Sequence, residues 1–354
     1  MNTTAKLLTS TAALCASAGL VVADDASEEA ASAFPLKSSI ENVTVEGLIE
    51  VSASYSKQGS DKDTDINVDT VELDLGFEAS DRLSASIAFL YEEGEEDDHV
   101  IVDSADIVYS LDDDFSGLSL HFGKIYMPFG VFETGLISDP LTLELGEISD
   151  GAVGLEWESD LLDLAAYAFA GDINDETDDS EELQYVASAT LKPFEGLSFK
   201  AAVLSDICEA ALDDDVSDRL KKMEEEGSDP TYDGAIGVDL AAVLEVGDFK
   251  IAAEYLGAAE QIKFGGVESG KPRTWSVDLV YSLTDRLSLA ARYEGSKEFA
   301  EDEMPEKQFG VGGEYAFTDN FALALEYLYG EFEKIDGEQP DDRHMGTAKV
   351  AFSF

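Results

Sequence analysis

The sequence predicts an all-β protein: a transmembrane antiparallel β-barrel of about sixteen strands, with short periplasmic turns and long extracellular loops. Three observations predict it. From Val43 onward apolar residues recur at every second position, the period of a strand whose two faces meet different surroundings. The segments that carry this period are joined alternately by short and long connections, as in barrels that cross an outer membrane. Finally, apart from the N-terminus, no apolar run approaches the roughly 20 residues that a spanning helix needs.

The elements follow in order. Residues 1–23 read as a cleaved secretory signal: Lys6 supplies the basic start, Leu7 to Val22 the apolar run, and Val21-Val22-Ala23 precedes Asp24-Asp25. Leu14 before Cys15 leaves a lipoprotein signal as the lesser reading, because the residue next to such a cysteine is usually small. Once Cys15 is removed, Cys208 stands alone and no disulfide framework exists. Residues 24–42 form a periplasmic lead-in, and residues 43–354 the barrel.

Val43, Val45, Ile49, Val51, Ala53 and Tyr55 share one face of the first strand, while Thr44, Glu46, Glu50, Ser52 and Ser54 share the other. Leu83 to Tyr91 repeats the pattern. Weaker runs lie near 68–78, 100–109, 118–124, 151–158, 162–171, 184–192 and 197–205. Clean alternation returns at Ile236–Leu244, Phe249–Tyr255, Trp275–Tyr281, Leu287–Tyr293, Phe309–Phe317, Phe321–Tyr329 and Ala348–Phe354. Short connections such as Ser80-Asp81-Arg82, Val246-Gly247-Asp248 and Thr318-Asp319-Asn320 alternate with long ones such as 56–67, 125–150, 206–232 and 257–271. Tyr55, Tyr91, Tyr109, Tyr281, Tyr293, Tyr327 and Tyr329 stand near strand ends, where aromatic girdles belong. The closing Ala351-Phe352-Ser353-Phe354 resembles the terminal aromatic signal of outer-membrane barrels. A secreted β-sandwich or β-helix is the alternative, and the regular interleaving of turns and loops weighs against it.

A sixteen-stranded barrel leaves an aqueous channel. By parity its wall carries Glu46, Glu50, Glu72, Asp74, Glu78, Glu156, Asp239, Glu254, Asp278, Glu294, Glu314 and Glu326, against only Lys200, Lys250 and Arg292. With 22 Lys+Arg facing 77 Asp+Glu, the formal charge is −55. That excludes a nucleic-acid binder working by phosphate neutralisation. Carboxylate rings concentrate cations, so a cation preference is expected. Adaptation to high salt explains the same acidity equally well.

The connection 125–150 differs from the other loops, which are acidic and poor in apolar residues. It carries Ile125-Tyr126-Met127-Pro128-Phe129-Gly130-Val131-Phe132 and then Asp139-Pro140-Leu141-Thr142-Leu143-Glu144-Leu145-Gly146-Glu147. So much apolar surface needs cover, which folding into the barrel would provide. Glu133, Asp139, Glu144 and Glu147 would then be the candidate constriction acids. The run Gly123–Thr134, together with Asp139–Glu147, resembles the central motif of the LbtU family of siderophore porins, and the similarity extends from about Val45 to Phe354. The resemblance implies an outer-membrane porin linked to ferric siderophore uptake without a plug domain, and it carries over no ligand residues. The lead-in is shorter than in that family, which puts any role for it in doubt.

Expected partners are outer-membrane lipid and lipopolysaccharide, small solutes including ferric siderophores, and further copies of the chain in a homotrimer; no cofactor is implied. Asp61, Asp63, Asp65, Asn67 and Asp69 alternate like ligands of a Ca²⁺ loop, yet Ile66 occupies the place of the turn glycine. A solvated acidic loop is the plainer reading, and the same holds for 172–182. Leu220–Glu226 is expected to form a helical turn or two. An enzyme would need a nucleophile beside a base, and His99, His121 and His344 show no His-x-Ser spacing of the outer-membrane lipase type. His121 therefore reads as a residue of the channel wall. The competing function is a non-conducting barrel that serves as a surface, adhesion or divalent-ion-binding scaffold.

Overall fold

The computed structural model describes residues 42–93, 99–111, 116–173, 183–228, 231–299, 304–334 and 340–354. The expected signal, the lead-in up to residue 41 and the acidic stretch from 174 to 182 lie outside the described residues. In chain order the strands and helices are β1 (Asn42–Gln58), β2 (Asp61–Ser80), β3 (Leu83–Tyr91), β4 (Ile101–Ser110), β5 (Leu118–Tyr126), α1 (Leu141–Gly146), β6 (Ser149–Trp157), β7 (Leu162–Ala170), β8 (Leu183–Phe194), β9 (Leu197–Leu204), α2 (Cys208–Ala211), α3 (Asp213–Glu225), β10 (Tyr232–Asp233), β11 (Gly237–Val246), β12 (Phe249–Ala258), β13 (Ile262–Phe264), β14 (Val267–Gly270), β15 (Arg273–Thr284), β16 (Leu287–Lys297), β17 (Lys307–Thr318), β18 (Phe321–Glu331) and β19 (Arg343–Ser353). Sixteen of these strands close into one antiparallel barrel, while β10, β13 and β14 form a small separate sheet.

The period of two dictates the wall. Within β11, Leu240 is 58% exposed on the outside, whereas its neighbour Asp239 is fully buried on the inside. Val43, Val45, Val153, Val277, Leu279, Tyr293, Leu325 and Phe352 make the same exposed outer band, which fits contact with hydrocarbon. Closure joins β1 to β19, from Leu48 opposite Ser353 to Gln58 opposite Arg343, and Gly47 and Phe354 exchange backbone hydrogen bonds of 3.0 Å. At the short turns Gly196 and Gly247 take φ of 82° and 58°, a region that a Cβ makes costly.

Three connections depart from the expectation of plain acidic loops. The 56–67 segment is a paired hairpin, with β1 and β2 in register down to Gln58 opposite Asp61. Asp61, Asp63 and Asp65 therefore alternate along a strand, about 6.6 Å apart at a rise of roughly 3.3 Å per residue. That spacing is too wide for them to converge on one Ca²⁺ ion. In 206–232, helix covers Cys208–Ala211 and Asp213–Glu225 instead of a turn or two at Leu220–Glu226. The 257–271 connection contains β13 and β14.

These loops share a core. Ile207, Cys208, Val216, Leu220, Ile262, Phe264 and Phe299 bury together with Met127, Phe129 and Leu145 and with the inward Tyr167, Phe169, Val186, Leu204 and Leu256. They cap the long-loop end above β6–β12. Arg219 of α3 lies 4.0 Å from the Phe264 ring centroid and donates to Ser269 Oγ at 2.6 Å, which ties the helix to the small sheet.

Candidate functional site: an inner segment held to the barrel wall

Segment 127–147 carries more apolar side chains than water tolerates, and Phe129, Leu141, Leu143 and Leu145 are all buried. Its backbone cannot enter a ladder, so each inward N–H needs another acceptor. The wall supplies carboxylates. Glu254 on β12 accepts from Val131 N–H, from Phe132 N–H (3.2 Å) and from Thr142 Oγ1 (2.6 Å). That grip coincides with left-handed backbone at Gly130 (φ 94°) and Phe132 (φ 55°). Such a conformation costs a residue like Phe about 1–3 kcal/mol and persists only where its surroundings enforce it.

Farther along, Glu326 on β18 accepts from Ser138 N–H and Ser138 Oγ, both at 3.0 Å. Glu294 on β16 accepts from Leu141 N–H at 2.7 Å, which satisfies one of the free donors at the start of α1, and from Gln308 Nε2 at 2.8 Å. Between them Arg292, 1% exposed, donates to Glu294 Oε1 (2.9 Å), Thr134 Oγ1 (3.0 Å), Ser138 O and Ser138 Oγ (2.7 Å each). Lys200 donates to the Gly130 carbonyl, and Lys250 pairs with Glu133. Glycines let the surfaces approach. A Cβ on Gly146 would lie 2.2 Å from Leu256, and one on Gly310 would lie 2.5 Å from Leu136.

Glu254, Glu294, Glu326, Arg292, Lys200 and Lys250 thus converge on the segment, with Asp239 and Asp278 buried on the same side of the wall. The expectation that they line open water is corrected: five of these carboxylates are buried, and three accept hydrogen bonds from the segment, because its unpaired N–H groups need buried acceptors. Glu50 is also buried, in an ion pair with Lys349 at 2.8 Å. Glu46, Glu78 and Glu314 are exposed, and Glu72, Asp74 and Glu156 are half-buried. Lys200, Lys250, Arg292 and Lys349 each engage a carboxylate or a segment carbonyl.

On the segment Glu133, Asp139, Glu144 and Glu147 are half-buried. Loss of hydration, and then the nearby Glu294 carboxylate, push Glu144 up to about 8. Loss of hydration and then Glu144 raise Asp139 well above the usual carboxylate range. Several partners escaped the sequence reading. Lys349 has the parity of the inner face and was legible there, whereas Thr134, Ser138 and Thr142 carry no periodic signal.

No protein-family model matches the chain, and no curated protein matches it in sequence. Among solved structures it is similar to an OmpF of Salmonella typhi in complex with daunomycin, with a TM-score of 0.59, 14% identity, and coverage of 88% of this chain and 97% of that one. A mutant Rh. blastica porin gives 0.56 at 11% identity, covering 88% and 100%. A loop-deleted OmpT of Vibrio cholerae gives 0.58 at 14% identity, covering 88% and 99%. The barrel has the fold of these porins.

Proposed function

We propose that the protein is an outer-membrane porin that passes small solutes by diffusion, cations ahead of anions, through a lumen narrowed by segment 127–147. The observation that carries this reading is the segment itself, hydrogen-bonded across the bore to Glu254, Glu294 and Glu326. The half-buried acids on the opposite strands support the cation preference, since a one-signed passage in a low-dielectric wall concentrates counter-ions. The LbtU-like run at Gly123–Thr134 and Asp139–Glu147 supports ferric siderophores as one solute class, and the acidic wall favours neutral or cationic complexes over anionic ones.

The test is planar-bilayer recording of the purified chain in a salt gradient at low ionic strength, where screening is weakest. Stable conductance with a cation-selective reversal potential is the expected result. Joint replacement of Glu133, Asp139, Glu144 and Glu147 by their amides should lower that selectivity, most clearly at pH 9. A silent barrel would favour the scaffold reading instead, and unchanged selectivity would remove the segment from the constriction.

A further inference from the structure

A second cluster lies on the inner face of β4, β5, β6 and β7, its Tyr167 packed into the core that also buries Met127 and Phe129. Alternation along β5 puts Ser119 and His121 on one inner face, two residues apart. Ser119 Oγ lies 3.0 Å from His121 Nε2, and His121 Nδ1 lies 3.1 Å from Asp106 Oδ2. Glu156 Oε2 stands 3.6 Å from the same Nε2, and its other oxygen accepts from Tyr167 OH at 2.7 Å. Tyr167 reaches over Gly154, where a Cβ would collide with the ring at 2.2 Å. The tyrosine thereby closes one side of the imidazole, at 6.0 Å between ring centroids.

We propose that Ser119, His121 and Asp106 form a nucleophile, base and orienting carboxylate able to cleave small activated esters that enter the lumen. With Nδ1–H donated to Asp106, the lone pair of Nε2 is turned to the serine hydroxyl, the division of roles that defines such triads on unrelated folds. Ser119 Oγ attacks the acyl carbon and its proton passes to Nε2. The bond to the alcohol oxygen breaks, and the leaving alcohol takes that proton from the imidazolium. Water then repeats the sequence, releasing the carboxylic acid and restoring Ser119. Asp106 and Glu156 stabilise the imidazolium. The N–H groups of β5 serve the ladders to β4 and β6, so water alone meets the developing oxyanion. That restricts the substrate to esters with good leaving groups.

The test is covalent capture by an alkyl fluorophosphonate on the full chain folded in detergent, followed by peptide mass mapping. Ser119 attacks phosphorus, fluoride leaves, and the adduct persists. We expect one probe per chain on Ser119, no adduct in Ser119→Ala, and capture at least tenfold slower in His121→Asn, with folding checked by circular dichroism. Mapping on the parent chain decides the matter even if a variant folds poorly. Capture on another residue, no capture, or an unchanged rate in His121→Asn overturns the proposal.

Discussion

Arg292→Met tests whether the segment is held in the bore by hydrogen bonds or only by its apolar side chains. Methionine keeps an unbranched apolar stem and removes every donor. The bond to Glu294 is lost whether the segment is seated or not, so it drops out of the seating equilibrium. What remains is the pair of bonds to Ser138 at 2.7 Å and the one to Thr134 at 3.0 Å. Charged donors contribute about 1.5–3 kcal/mol each. Taking the low end, three bonds give about 4–5 kcal/mol, roughly a thousandfold loss in the ratio of seated to released segment. Glu254, Glu326 and the buried Phe129, Leu143 and Leu145 still hold the rest. Excursions of the segment should therefore appear as current noise and as a second, larger conductance level in single-channel records. An Arg292→Met barrel that folds and gives the parent's conductance, noise and selectivity would refute the reasoning.

Three further outcomes are expected. Glu144, held near 8, keeps its proton at neutral pH, so it gains charge as pH rises through that value. Cation preference should climb between pH 7 and 9, and the rise should shrink in Glu144→Gln; because the folded state holds this proton and the unfolded state does not between about pH 4.5 and 8, stability should fall as pH rises across that window and level off above it. Val277→Arg puts a charge on the outer band and should cost about 2–4 kcal/mol in urea unfolding from lipid vesicles; an unchanged midpoint would mean that this face does not meet hydrocarbon. Gly146→Val drives a Cβ to 2.2 Å from Leu256 Cδ1 and should destabilise by about 1–3 kcal/mol through overpacking, read as a lowered unfolding midpoint.

Sequence legibility tracked how local each constraint is. A barrel strand must show lipid one side and the lumen the other, so Leu240 and Asp239 announce their faces within two residues, and every segment read as a strand is one. His121 reads as a residue of the channel wall, and the His-x-Ser spacing passes over Ser119, which precedes it by two residues on the same face. Their meeting with Asp106 depends on β4–β5 register, which places Asp106 opposite Gly123 and which no local pattern announces. The cap was hidden in a different way. Ile207, Val216, Leu220, Phe264 and Phe299 are scattered through acidic stretches and acquire a shared core only when three loops and segment 127–147 come together. The buried wall acids follow from that same assembly. Parity correctly turns Glu254, Glu294 and Glu326 inward, but whether an inward carboxylate meets water or a peptide N–H is decided by what folds over it. The apolar stretches Ile125–Phe132 and Leu141–Leu145 of the 125–150 connection are the sequence feature that demanded such a cover, and the surface they cover is where wall carboxylates bond to peptide N–H groups.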